Sequence, residues 1–559
     1  MPSTELARRT FLMTAAAGAT LALGSKVVAE GPPAPPTPRK KGAPQTTSAS
    51  AHESPELARL RKAAKERRRR LIYNNDGNDV HLRKHETPES FLAQRIVPAL
   101  KTQVDSIFYC TGVTTIYDHD TEVAERLGDL QEAIKSTEPY PINKLATAQM
   151  LRRSGFDCLS LVIKRVHEAG LEVFWAHRVN DIHDSVTDWL LSKWKRAHSE
   201  CLMGTPEDAK RYDDSHPRQR WSTLDFEKPE VLDYLFRITE EVCQRYDVDG
   251  IEMDYFRHPL HFRPNLEFKP ARPHQAQLLT AFQRRIRDMT YREGNRRGRP
   301  ILVATHVPST PAKCMHIGID VEGWLREDLL DLLVTGSGYQ PMTMPMKRMV
   351  ELGHEHGVPV YPNISNSGMD QWGGRIETWR AAASNVWRSG ADGIHLFNLF
   401  PETPNNPVFM TAGDPPTLAK YDKVFGIDNT PEYYGCLEQA IEQSQLLPVE
   451  FGRSGMPRGV NFPIGDGIAA EAEAGRLASA ILRVQYLSRA PSDKVELYFN
   501  GNLITADSED LETGWVTYKP ESRLYRPGDN SLAFRATAGR PNRKQSIVAW
   551  AVELNVKYR

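Results

Sequence analysis

Residues 249–256 read DGIEMDYF and residues 392–400 read DGIHLFNLF. Each is a short apolar run behind an Asp-Gly pair, and the two agree at Gly250 and Gly393 and at Ile251 and Ile394. Where the second run has Phe397 the first has Asp254. The usual occupant of such a place is apolar, so the acid needs a reason. Six further runs share this character: RLIYNND (70–76), SIFYCTGV (106–113), LEVFWAHRVND (171–181), ILVATHV (301–307), LLDLLVTG (329–336) and VPVYPNIS (358–365). Helical stretches lie between them. TPESFLAQRIVPALKTQ has Thr87 as N-cap and Pro88 at the first helical position. PEVLDYLFRITEEVCQRY leads into the fourth run and RIETWRAAASNVWRSG into the eighth.

Strands alternating with helices predict βαβ units and a parallel sheet. Eight units over roughly 330 residues match an α/β fold of the (β/α)8 TIM-barrel type. A doubly wound sheet would need a phosphate-binding glycine turn after the first strand, and the turn here reads NNDGND. Beyond residue 440 the pattern changes to strand-like runs such as KVELYFNGNLI, NSLAFRAT and IVAWAVELNVKY, with a hairpin signal at Asn500-Gly501. The expectation is a β-sandwich over 441–559, either a brace or a sugar-binding module. The barrel is expected over 55–440, behind a Pro/Ser/Thr-rich linker at 30–54. The basic stretch PELARLRKAAKERRRRL that opens it reads as a helix with a solvated face.

Arg8-Arg9-Thr10-Phe11-Leu12, the Ala-rich apolar run to Gly24 and the small residues to Ala29 read as a twin-arginine export signal over 1–29. That route implies a periplasmic or secreted protein with no membrane insertion in its mature form. Lys plus Arg and Asp plus Glu are both 71, so no polyanion footprint points to nucleic acid. The six cysteines show no CxxC spacing and no disulfide framework is expected; Cys110 and Cys243 lie in apolar segments and read as small core residues. No cofactor is expected, and the oligomeric state is not readable.

A TIM barrel carries its site at the C-terminal ends of its strands. The fourth strand offers Glu252 and Asp254. Two apart, they share a face and point into the barrel, while Ile251, Met253 and Tyr255 face the helices. Two buried carboxylates split their pKa values into an acid and a base, unless Arg178 or Arg257 simply pairs with them. The third strand ends His177-Arg178-Val179-Asn180-Asp181-Ile182-His183, and Asp181 is the first choice for a second catalytic carboxylate. Its alternative is a cap or a partner of Arg178. Hydroxyl-binding candidates are Arg178, Asn180, His183, Tyr255, Arg257, His306, Tyr339, Asn363 and Asn398. The insertion 182–228 must cover this face, and Trp221 within it is a possible sugar platform, as is Trp372 after the seventh strand; each could equally pack its own loop. The five histidines 177, 183, 258, 306 and 395 keep a metal open, although none of the five belongs to an HxH or HExxH and no metal is assigned.

RYDVDGIEMDYFRHP resembles the strand-four signature of bacterial glycosyl-hydrolase-like TIM barrels. WAHRVNDIH, LDFEKPEVLDYL and THVPSTPAKCMHIGIDVEGWLREDLLDLLV are similar to neighbouring segments of that family, over roughly residues 68 to 430. The resemblance implies hydrolysis of a glycosidic bond by carboxylates. Several retaining clans place a nucleophile where Asp254 sits. The chitinase-like pattern DGxDxDxE is approached, but Phe256 replaces its final acid, and Asn363 replaces the strand-seven acid of other clans. Two rivals stay open: a non-catalytic polysaccharide-binding protein, and a metal-assisted hydrolase built on the histidines.

Overall fold

The computed structural model describes residues 53–129, 137–212, 216–403, 405–429, 446–452, 455–538 and 546–559. The expected export signal, almost all of the linker and Cys436 lie outside the described residues. The eight expected strands are present as β1 Leu71–Asn75, β2 Val104–Cys110, β3 Glu172–Arg178, β4 Gly250–Asp254, β5 Leu302–Val307, β6 Leu332–Gly338, β7 Val360–Ser365 and β8 Ile394–Phe397. They pair in parallel, each with its neighbours in sequence, and β8 closes on β1. The first helix, Pro88–Arg95, starts at the expected cap, with Thr87 accepting from Ser90 N–H.

One device at the N-terminal rim recurs on every even strand. Asp105, Asp249, Asp331 and Asp392 accept, through Oδ2, the backbone N–H of Arg70, Val173, Val303 and Val360 at 2.7, 2.9, 2.7 and 2.8 Å. Each aspartate satisfies the opening amide of the preceding odd strand, an amide the ladder would otherwise leave unpaired. The Asp-Gly pairs before β4 and β8 are two of these four. Their glycines serve close approach. A Cβ on Gly250 would enter the ring of Phe174, and one on Gly393 would strike the carbonyl of Arg69.

The barrel floor is apolar, built from Ile72, Phe108, Phe174, Leu302, Leu332 and Tyr361 among others. Below it runs the helix Pro55–Lys65, capped by Ser54. The expected solvated face is only part of the outcome. Arg69 is buried and grips both oxygens of Glu172 at 2.9 Å. Arg61 joins Glu53, Asp328 and buried Asp331. The insertion after β3 folds over the rim through a buried Lys195, 2.6 Å from Asp184, and through Asn180. Five described cysteines are buried and free, as expected of small core residues.

The C-terminal layer is a β-sandwich. One antiparallel sheet orders Lys423–Gly426, Ile547–Tyr558, Leu477–Leu487, Trp515–Tyr518 and Ala506–Glu509; the other orders Arg458–Ile464, Gly528–Ala538, Lys494–Phe499 and Asn502–Ile504. Tyr486 of the first meets Phe534 of the second edge-on at 6.1 Å. Lys423–Gly426 already belongs to this layer, although it lies inside the stretch expected for the barrel. Among the described residues no helix is long and apolar enough to cross a membrane.

Candidate active site

Alternation along β4 turns Glu252 and Asp254 inward, as the sequence predicts. In the parallel register Asp254 stands beside Arg178 on β3 and His306 on β5. Inside the barrel a polar chain runs across the strands. Asn74 donates to Glu252 Oε2 at 3.2 Å, and His395 Nε2 lies 3.4 Å from Glu252 Oε1. Asn363 Nδ2 is 3.1 Å from His395 Nδ1 and 3.2 Å from His306 Nε2. His306 Nδ1 then lies 3.3 Å from Asp254 Oδ1. Glu252 is fully buried beneath Asp254, and polar groups at that depth cost several kcal/mol unless partnered, which is why the chain is nearly continuous.

Of the two acids on β4, Asp254 is the nearer to the mouth. The N–H groups of Phe256 and Arg257 donate to Oδ1 at 3.0 and 2.9 Å, the same oxygen that faces His306. Burial alone would push the group up, but His306, Arg178 and Arg257 outweigh it and hold Asp254 below the usual carboxylate value. His306 moves the opposite way. Burial pulls it down, yet Asp254, Glu252 and the Gly336 carbonyl, 2.8 Å from Nε2, raise it above the ordinary histidine value. The two shifts favour a carboxylate facing an imidazolium. His395, by contrast, is held below the ordinary histidine value by burial.

At the lip Arg178 is the hub. Its Nη1 donates to Asp181 Oδ2 at 3.1 Å and its Nη2 lies 4.0 Å from Asp76 Oδ2. Asp181 is fully enclosed. Its Oδ1 accepts from His183 N–H at 2.9 Å and lies 2.6 Å from His183 Nδ1. Burial opposes its ionisation, but His183, His258 and Arg178 hold it well below the usual carboxylate range. His183 reaches the mouth, its side chain 43% exposed, with Nε2 3.4 Å from Arg257 Nη2.

Several expected sugar contacts stand elsewhere. Tyr255 is fully buried in the helix layer, its hydroxyl donating to Gln283 at 2.8 Å, because the alternation that turns Asp254 in turns Tyr255 out. Asn180 spends its amide on the Leu260 carbonyl and on Leu224 N–H, tying the insertion to the loop after β4. Trp221 is packed into the insertion with its indole N–H on the Ser185 carbonyl at 3.0 Å. Trp372 lies against Gly426 at the seam with the sandwich, donating to Asp428 at 3.3 Å. The histidines fall into two pairs, His306 with His395 and His183 with His258, each 5.4 Å between rings, while His177 faces Thr239 at 3.1 Å; among the described residues no group of three or more His, Cys, Asp or Glu is placed to hold a metal ion. Tyr339 is half-buried beyond β6. Asn398, next after β8, adopts a left-handed φ of 53°, and its Oδ1 is buried with no hydrogen-bond partner, a local strain of the kind that collects at sites.

The sequence reading left Asn74 out, and it weighed the Asn75–Asp79 stretch that holds Asp76 evenly between a plain turn and a sugar contact. Asp76 is braced by Arg95 at 3.4 Å as well as facing Arg178.

Residues 133–267 match the model of the family described as Glycosyl hydrolase-like 10. That segment contains three of the four stretches on which the resemblance rests, including the strand-four signature. No curated protein matches the chain. Similar solved structures include alpha-L-fucosidase isoenzyme 2 from Paenibacillus thiaminolyticus, 14% identical with a TM-score of 0.39 over 62% of this chain and 48% of that one. The PgaB (BpsB) glycoside hydrolase domain from Bordetella bronchiseptica is 12% identical, with a TM-score of 0.40 over 61% of this chain and 97% of that one. A glycoside hydrolase family 18 N-acetylglucosaminidase from Paenibacillus barengoltzii is 11% identical, with a TM-score of 0.33 over 61% and 97%. The chain thus spans about half the length of the fucosidase.

Proposed function

We propose that the protein is a glycoside hydrolase that cleaves a poly- or oligosaccharide at the C-terminal mouth of the barrel. The observation that carries this reading is the state of Asp254: three donors converge on Oδ1, and His306, Arg178 and Arg257 sustain its charge. A carboxylate kept ionised at the strand-four lip is suited to meet the positive charge that develops at an anomeric carbon. Its partners at the mouth, Arg257, His183, Asn398 and Tyr339, supply donors and acceptors for sugar hydroxyls. We further read the enzyme as exported, on the twin-arginine pattern at Arg8-Arg9.

The test is reducing-sugar release from a broad panel of polysaccharides by the wild type and Asp254→Asn, with and without a chelator. Release that the variant loses by about 10³-fold supports the reading. Equal release by both rejects Asp254 as its centre, and release abolished by the chelator favours the metal-assisted rival.

A further inference from the structure

Two-carboxylate hydrolysis needs a second group at the mouth to carry a proton, and the two carboxylates first considered for it, Glu252 and Asp181, do not reach it. Glu252 lies fully buried below Asp254, and Asp181 is fully enclosed behind Arg178 and His183. What does reach the mouth is the imidazole that Asp181 holds. The carboxylate takes both His183 N–H at 2.9 Å and ring Nδ1 at 2.6 Å, which fixes the ring plane and keeps a proton on Nδ1. Arg178 fixes the other oxygen at 3.1 Å. Nε2 is thereby turned outward. It lies 3.4 Å from Arg257 Nη2, and the backbone N–H of Arg257 is bonded to Asp254. The ring of His258 stands edge-on to it at 5.4 Å, and burial and the Arg257 guanidinium push His258 well below the ordinary histidine value.

We propose that His183, oriented by Asp181, is the proton donor and acceptor of this site in place of a second carboxylate; this rests on the hydrolase reading. His183 would be the catalytic residue and Asp181 its positioning residue. In the first step Asp254 bonds the anomeric carbon. The bond from that carbon to the leaving oxygen breaks with its electron pair going to the oxygen, which takes the Nε2 proton of a ring that enters the step protonated on both nitrogens and leaves it with only the Nδ1 proton held by Asp181. In the second step water replaces Asp254 at the carbon and returns one proton to Nε2. The sum is one glycosidic bond and one water consumed, two hydroxyl groups formed, and the dyad restored.

The test uses the full chain with 2,4-dinitrophenyl and phenyl glycosides of glucose, galactose, xylose, fucose and N-acetylglucosamine. Dinitrophenolate leaves without a proton and phenolate does not. In kcat/KM, which reads the first step, His183→Gln should slow phenyl glycoside hydrolysis by about 10²-fold or more and dinitrophenyl hydrolysis by under about 10-fold. Asp181→Asn, which leaves the imidazole in place, should shift the same ratio in the same direction. Asp254→Asn should lose both substrates. Equal loss on both substrates in His183→Gln, or no loss on either, overturns the dyad and leaves the hydrolase reading standing. A wild type that cleaves neither these glycosides nor any polysaccharide of the panel overturns both.

Discussion

His306 Nδ1 faces Asp254 Oδ1 at 3.3 Å, from adjacent strands and with both side chains almost sealed from water. The two groups move each other in opposite directions, and the pair has a definite pH window. Asp254 is depressed, so its contribution is present above the ordinary carboxylate value of 3.8 and is lost as pH falls through its lower folded value. His306 is raised, so its contribution is complete below the ordinary value of 6.5 and is lost as pH rises through its higher folded value.

Replacing His306 by Gln removes the first charge that holds Asp254 down. The acid limb of kcat/KM should then move to higher pH, read from a pH–rate profile on the substrate found in the panel. An acid limb that stays in place would show that Asp254 is set by its arginines and backbone donors alone.

Tyr255→Phe deletes a buried hydrogen bond to Gln283 on the helix side of the sheet. The expected cost is about 1 kcal/mol in denaturant unfolding, with kcat and KM unchanged. A changed KM would return Tyr255 to the sugar contacts.

At the seam with the sandwich, Gly426→Ala places a methyl group inside the Trp372 indole. Overpacking of this kind should destabilise by about 1–3 kcal/mol, and Trp372→Leu in the same chain should restore part of it. Catalysis measured on folded protein should hold in both, because Trp372 is spent on packing and on Asp428.

Asp331 accepts from Val303 N–H at 2.7 Å, Arg287 at 2.9 Å and Arg61 at 2.8 Å with no exposure to solvent. Asp331→Ala strands the buried Arg287 guanidinium and takes one of three carboxylates from Arg61, and should cost about 3–5 kcal/mol in chemical denaturation. A loss under about 1 kcal/mol would mean that water replaces the carboxylate.

The barrel was legible because its strands are apolar runs whose punctuation is local. Asp254 was legible for the same reason: an acid occupied the place where its twin β8 carries Phe397. What the chain does not advertise are partnerships made by folding. His183 and Asp181 were both named, but as a sugar contact and a carboxylate rather than as a pair. Asp428 drew no notice, yet it joins Met342 and Thr343 to Gln371 and Trp372, residues 56 to 86 positions away in sequence. Burial raises it to about 6 against those donors, so its protonation is tied to the loops it joins. Tyr255 shows the opposite error: the alternation that selects Asp254 excludes its neighbour, and an aromatic residue beside a candidate acid was credited with its company rather than its direction.

The four rim aspartates divide the barrel into quarters. Each bond runs within a pair, from β2 back to β1, β4 to β3, β6 to β5 and β8 to β7. New chain termini opened between β2 and β3, β4 and β5, or β6 and β7 leave every such bond inside one continuous segment. Termini opened within a pair make that bond depend on the two ends finding each other. Circular permutants of this barrel should therefore divide by parity, and the existing junction of β8 with β1 already falls on the permissive side.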